Sequence, residues 1–269
     1  MTTLLDKAKI KQSFGAAAAR YDGVAQLQRA VGKDLLDFAG SVRLSGTILD
    51  LGCGTGFLTG ELWSRQSETE TIIALDLAYT MLQMTRCKLS PSIPDRNQRK
   101  LACLCADAES LPVADHSLDG LFSNLALQWC NSFEKVLYDF KRILKPGSPL
   151  VFSTFGADTL RELKSAWASV DAYSHVNEFH DPSEIRRLLE QAGFTDLKIA
   201  SRLHLSHYES VHALMKELKQ IGAHNVNSGR NRRFTTKAQM QGMIKAYEPY
   251  RVEGRIPASF EIIQVAARG

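Results

Sequence analysis

An α/β fold with a doubly wound, mostly parallel sheet is predicted by three observations. Short apolar runs alternate with amphipathic stretches between residues 47 and 155. A glycine-rich loop, LGCGTG, follows the first apolar run directly, and acidic residues close the second and third runs. Strands alternating with helices give a parallel sheet covered on both faces, and such sheets bind ligands beyond the carboxyl ends of their strands.

The elements follow in order. TILDL (47–51) reads as a strand and FLTGELWSR as the helix behind the glycine loop; TIIALD (71–76) and AYTMLQMTRCKL form the next pair; KLACLCAD (100–107) is a third strand. SLDGLFSNLA is a fourth strand running into a loop, FEKVLYDFKRIL a helix, and SPLVFSTF a fifth strand after the KPG break. Beyond Phe155 the pattern changes. PSEIRRLLEQA (182–192) is a helix opened by Asp181 and Pro182 and closed by Gly193. LKIASRLHLSHY and FEIIQVAA alternate apolar and polar residues and are expected to pair antiparallel. Between them lies an insertion too long for a hairpin loop, in which Val211, Leu214, Met215 and Leu218 share one helical stripe. One domain, 1–269, is expected, with an N-terminal helical cap (1–40), a ligand-binding core (45–155) and a helical basic insertion (209–256).

Composition limits the function classes. With 269 residues, 44% of them hydrophobic, the chain buries a substantial core, and a net charge of +4 excludes a wholly basic nucleic-acid scaffold. The five cysteines include no C-x-x-C pair; Cys103 and Cys105 alternate within a strand and are expected as buried, reduced thiols, and no metal site is expected. MTTLLDKAKIKQSF has no apolar core for a secretion signal, and no stretch approaches about 18 uninterrupted apolar residues. A cytoplasmic protein without a membrane partner is the expectation.

The loop spacing is G-x-G-x-G (Gly52, Gly54, Gly56), which meets neither the dinucleotide nor the P-loop phosphate pattern. Asp50, two residues earlier, would repel pyrophosphate but suits a cationic ligand. Asp76 ends the second strand, where it can accept from both ribose hydroxyls, and Leu77 can cover an adenine face; Asp107 suits either a ligand or a turn that it caps. A nucleoside carrying an amino acid and a positive charge meets these demands, and S-adenosyl-L-methionine is such a molecule.

LDLGCGTG, ALDLAYTML, ADAESLPVADHSLDGLFSNLALQW and RILKPGSPLVFST resemble the class I S-adenosylmethionine-dependent methyltransferases over roughly residues 45–155. The resemblance implies their Rossmann-like fold, a mostly parallel seven-stranded sheet with an antiparallel terminal hairpin. It assigns Gly52, Cys53, Gly54 and Gly56 to the methionine part of the cofactor, Asp76 to ribose, and Asp107 with Ala108 to adenine, and it adds Asn124 to the cofactor site. FGAAAARYDGVAQLQR, SNLALQWC, FSTFGADTLRELKSAW, HVNEF and LMKELKQIGAHN further resemble the malonyl-[acyl-carrier protein] O-methyltransferase family of biotin synthesis, across almost the whole chain. KPGSPL and the Thr-Lys of RRFTTK depart from that family's pattern, away from the cofactor residues.

The implied reaction is an in-line methyl transfer to the free carboxylate of malonyl-acyl carrier protein. A carboxylate ionised at neutral pH needs no base, and the chain shows no catalytic triad pattern. Arg161 is the candidate for the substrate carboxylate, Tyr21 for closing over the methyl site, and Trp129 for walling the acyl pocket. Two other readings share the cofactor half: methylation of another small acid or a quinone precursor, and a respiratory-complex assembly factor of methyltransferase type. The intact Asp50, Gly52, Gly54, Gly56 and Asp76 set weighs against a decayed site, and the lack of an Arg-rich transit segment weighs against mitochondria. Residues 216–255 hold nine basic and three acidic residues, so an acidic carrier protein is expected to dock on this insertion. Nucleic acid is not expected, because the stretch lacks a binding motif and stacking aromatics.

Overall fold

The computed structural model describes residues 4–40, 45–65, 68–90, 100–223 and 235–269. Seven strands, β1 (Gly46–Leu51), β2 (Thr69–Asp76), β3 (Lys100–Cys105), β4 (Gly120–Asn124), β5 (Pro149–Phe155), β6 (Thr195–Tyr208) and β7 (Ile256–Arg268), form one sheet in the order β3-β2-β1-β4-β5-β7-β6. β1 pairs in parallel with both β2 and β4, so the strand order reverses there and a crevice opens beyond their carboxyl ends. β7 runs antiparallel between β5 and β6. The sequence-predicted terminal pair is thus present, with its second strand inserted into the sheet.

Alternating side chains on each strand feed two cores. Ile48, Ile72 and Phe122 point to the face covered by α2 (Gln26–Ala39) and α3 (Phe57–Arg65), meeting Leu35, Leu58 and Leu62. Leu49, Leu121 and Leu150 point to the opposite face, under Val136 and Phe140 of α5 (Phe133–Ile143) and Ile185 and Leu189 of α7 (Pro182–Gln191). α7 starts as its sequence requires: Asp181 accepts from the Ser183 and Glu184 amides at 2.8 and 2.9 Å, and Pro182 fills the first helical position. α4 (Tyr79–Leu89) packs on β2 and β3, and α1 (Lys7–Val24) lies against α4.

A third core belongs to the insertion. Val211 and Leu214 of α8 (Val211–Gln220) and Met243 and Tyr247 of α9 (Lys237–Tyr247) pack with Leu163 and Trp167 of α6 (Arg161–Ala168) and with Ile256, Ala258 and Phe260 of β7. Ser210 caps α8, and Thr236 with Gln239 forms a capping box on α9. The predicted stripe is therefore packing surface, Met215 and Leu218 joining the same cluster from partly buried positions.

The cysteine expectation is corrected. Cys103 and Cys105 are exposed because, among the described residues, β3 is an edge strand with β2 on one side only; Cys87 on α4 is exposed as well. Period-2 spacing marks one face of a strand but not whether a helix covers it. Among the described residues no helix is long and apolar enough to cross a membrane.

Leu214 has no exposed surface at the centre of the third core. Leu214→Ala is expected to cost about 2–5 kcal/mol, lowering the melting temperature by roughly 5–15 °C, which thermal denaturation measures.

Candidate active site

The glycine loop is held by the end of β2. The amides of Gly52 and Cys53 both donate to the Leu75 carbonyl, at 2.7 and 2.9 Å, and the Gly54 amide donates to Asp76 Oδ2 at 3.0 Å. The chain can fold back this way because Gly52 has φ +71°, and a Cβ there would stand 2.2 Å from the Ala126 side chain. Gly56 (φ +86°) similarly leaves room for Thr85, 2.8 Å from where its Cβ would lie. Cys53 serves through its backbone, its thiol being buried against Ala74 and Leu82.

Asp76 has a second bond, from the Ala78 amide to Oδ1 at 2.8 Å. It therefore positions the loop as well as facing the cleft, and burial raises its pKa to about 6 against the pull of these amides. A truncation at Asp76 disturbs the loop itself.

Asp50 is 1% exposed at the end of β1. Its Oδ2 accepts from the Thr59 hydroxyl of α3 at 2.5 Å, while its Oδ1 is buried with no partner among the described residues. Burial, with the Asp76 charge adding to it, raises its pKa to about 7 although the Thr59 bond opposes this. A buried carboxylate oxygen lacking a donor fits a ligand that brings a cationic one.

Two cavities flank the loop. The first is walled by Gly52, Gly54, Asp76, Leu77, Asp107 and Ala108, with Ile10, Phe14 and Trp129 across from them. Lys7 also lines it and makes ion pairs to Asp107 (2.9 Å) and Glu109 (2.5 Å). Asp107 also accepts from the Glu109 amide at 3.0 Å, so it caps a turn and faces the cleft at once. The second cavity lies between Tyr21, Gln28, Arg29, Asp50, Gly52 and Asn124. Asn124 donates to the Gln28 carbonyl at 2.9 Å and accepts from Ser153 Oγ at 2.8 Å, tying α2 to the ends of β4 and β5. Burial, then the charges of Asp76 and Asp22, push the Tyr21 phenol far above its ordinary range, so it stays protonated.

The N-terminal cap is latched onto the loop. Asp22 accepts from Thr55 Oγ1 at 2.5 Å and pairs with Lys88, which also donates to the Thr55 carbonyl at 3.1 Å. Phe14 meets the Trp129 ring edge-on at 5.3 Å.

A third cavity, mostly apolar, is lined by Leu27, Phe155, Leu160, Phe179, Leu218 and Phe260 among others. It shares Trp129 with the first cavity and Gln28 with the Tyr21 cavity, so the three converge. Arg161 lines none of them: it is 54% exposed and turns toward Glu162 at 3.5 Å. The guanidinium that does line the site is Arg29, next to Gln28 on α2. Sequence reading missed Lys7, Gln28, Arg29 and Thr59. Gln28 and Arg29 had one signal, the segment AQLQR within the family-like N-terminus, and Lys7 and Thr59 lie outside it.

The methyltransferase-domain family matches residues 49–152. A malonyl-[acyl-carrier protein] O-methyltransferase of Laribacter hongkongensis is 40% identical over 265 residues, covering 96% of this chain and 88% of the relative. The chain belongs to that family. The biotin biosynthesis bifunctional protein BioHC of Cellvibrio japonicus is also 40% identical over 97% of the chain, which spans 50% of that longer relative. Among solved structures, the YcgJ protein of a Bacillus shares the fold with a TM-score of 0.62 at 15% identity, over 88% of this chain and 97% of its own.

In a methyltransferase of this family the residues fit S-adenosyl-L-methionine. Asp50 would take its ammonium group, Asp76 the ribose, and Leu77, Asp107 and Ala108 the adenine. The raised pKa of Asp50 gives a pH test. With a folded-state value near 7, above the ordinary carboxylate, the free protein holds a proton that an incoming cation displaces. Cofactor binding at pH 6.5 is expected to release protons, and the release shrinks by pH 8; calorimetry in buffers of different ionisation enthalpy measures it. Asp50→Asn should abolish most of the release and weaken binding at least tenfold, the effect of roughly 1.5–3 kcal/mol for a bond to a charged group.

Proposed function

We propose that this chain transfers a methyl group from S-adenosyl-L-methionine to the free carboxylate of malonyl-acyl carrier protein, giving the methyl ester from which a biotin precursor is built. The observation that carries this reading is the convergence of a nucleoside cleft and an apolar cavity at Trp129, with the cavity of the protonated Tyr21 joined to the apolar one through Gln28. The family membership supplies the substrate class.

When bound, the cofactor supplies an electrophilic methyl group on a sulfonium sulfur. The chain's own residues do the rest. The substrate carboxylate is ionised at neutral pH, so alignment and exclusion of water are the tasks left to the protein. Tyr21 donates a hydrogen bond and cannot act as a base. Gln28 joins the apolar cavity to the Tyr21 cavity, its backbone carbonyl accepting from Asn124, while Arg29 provides positive charge nearby. Trp129 separates the acyl group from the adenine side. The site gives Arg161, the sequence-level candidate, no contact with these cavities, so the carboxylate is assigned to Tyr21, Gln28 and Arg29.

The acidic carrier docks on the insertion in this reading. Lys216, Lys219, Lys237 and Lys245 are exposed there. Arg230, Arg232 and Arg233, named from sequence, lie outside the described residues.

The activity test incubates purified protein with the cofactor and malonyl carrier, free malonate or quinone precursors; mass spectrometry should show the methyl ester on malonyl carrier, and methylation of a quinone precursor alone would reject the assignment. Tyr21→Phe should lower kcat by roughly 10–100-fold, the loss of one hydrogen bond to a charged group, with cofactor affinity by calorimetry nearly unchanged. Reversing Arg232 and Arg233 to glutamate should raise KM for malonyl carrier on the order of tenfold at low salt. The difference should fade at high salt, and unchanged kinetics at low salt would move docking off these arginines.

A further inference from the structure

The apolar acyl cavity does not end blindly. It shares Gln128, Asn177 and Phe179 with a larger polar groove that opens outward past Asn131, Ser132 and His180. Gln128 and Asn177 form the throat between the two, Gln128 with an unpaired amide oxygen and Asn177 with an unpaired amide group among the described residues. Gln128 lies in the turn Leu127–Trp129, directly before the aromatic residue that meets the nucleoside cleft. Its Nε2 donates to the Leu125 carbonyl at 2.6 Å, which fixes the amide's orientation, and its Oε1 is buried with no partner among the described residues. Asn177 is 9% exposed, and its side-chain amide likewise has no hydrogen-bond partner among the described residues.

A buried, oriented carbonyl oxygen without a donor is costly unless a ligand brings an N–H. The malonyl group cannot do so, since its carboxylate and thioester carbonyl are acceptors only. The chain that carries the thioester can. A pantetheine-type arm has an amide N–H two carbons beyond the sulfur, and its next carbonyl is an acceptor that the Asn177 amide can meet.

We infer that the Gln128–Asn177 throat is a binding site for the first amide of a pantetheine-type thioester arm, with the polar groove as the arm's path to solvent. This rests on the proposed carboxyl methylation of a carrier-bound malonyl group. The groove's charge agrees with a neutral arm rather than an acidic carrier body in it: Glu134, Glu178 and Glu184 line it against Arg187. The carrier itself stays outside while its arm threads in. The throat thus sets how deep a thioester enters, holding the acyl end at Trp129.

The test compares two small malonyl thioesters, one of N-acetylcysteamine and one in which the amide NH is replaced by oxygen. The wild-type protein should prefer the amide by roughly tenfold or more in kcat/KM, the effect of one hydrogen bond to a buried acceptor. In Gln128→Met the amide-to-ester ratio should collapse toward one. Because Gln128 also holds the Leu125 carbonyl, cofactor affinity is measured alongside to show that the loop persists. Asn177→Leu removes the donor to the carbonyl that both thioesters keep, so it should lower kcat/KM for both by roughly tenfold while the ratio stays close to that of the wild type. Methylation of malonyl carrier by the same preparations reports on the proposed function: its absence would sink that reading. Carrier methylation with a wild-type ratio near one, or with no turnover of either thioester, overturns the throat assignment, as does a Gln128→Met ratio equal to wild type in a protein that still binds cofactor.

Discussion

The carboxyl end of β2 organises this molecule. The Leu75 carbonyl receives two amides of the glycine loop and the Asp76 carboxylate a third, so the loop after β1 takes its shape from the neighbouring strand. That arrangement depends on register: Leu51 lies opposite Leu75 in the parallel pair, and a slip of one residue between the strands would put Asp50 and Asp76 on opposite faces of the sheet. Asp50 is then placed under Thr59, and Thr55 is presented to the cap. Site and sheet are set by the same few hydrogen bonds.

Unlike α2, whose Leu35 is buried in the sheet core, α1 is attached lightly. Its polar contacts with the core, through Lys7 and through Asp22, involve partly or largely exposed side chains, and such pairs are individually weak. Its apolar contacts use small residues, Ala17 and Ala18, together with Ile10 and Phe14. A rigid loop below and a lightly fastened helix above suit a cleft that must exchange a large nucleoside and then exclude water. Tyr21 and Asp22, adjacent in sequence, link the fastening to the methyl site: one points to the cavity and the other to Thr55 and Lys88.

The alternation of strands and helices was legible because each buried strand carries its own apolar run, and all seven strands stand where such runs predict them. Asp50, Asp76 and the glycines were legible because strand, tight turn and strand-end acid occur at fixed spacing. What sequence left hidden depends on three-dimensional approach. Lys7 reaches Asp107 across 100 residues, and Gln28 and Arg29 enter the site only because α2 packs on the ends of β4 and β5. Arg161 follows β5 closely in sequence, yet the start of α6 turns its guanidinium to Glu162, whose own carboxylate is occupied by the Ser259 amide and hydroxyl. Cys103 and Cys105 were misjudged for a related reason, since strand order and not strand pattern decides which strand stands at an edge.

The position of β7 bears on how the chain is synthesised. It is the last of the seven strands in chain order, yet it lies between β5 and β6. Until it emerges, β5 and β6 have no partner on their facing sides, and the Ile256, Ala258 and Phe260 side chains are missing from the core beneath the insertion. The half of the sheet that holds the glycine loop can assemble early from neighbouring units, whereas the half beneath the insertion must wait for β7. A nascent chain therefore passes through a stage with an open sheet edge and an unfilled core, where a holding chaperone would have most to grip.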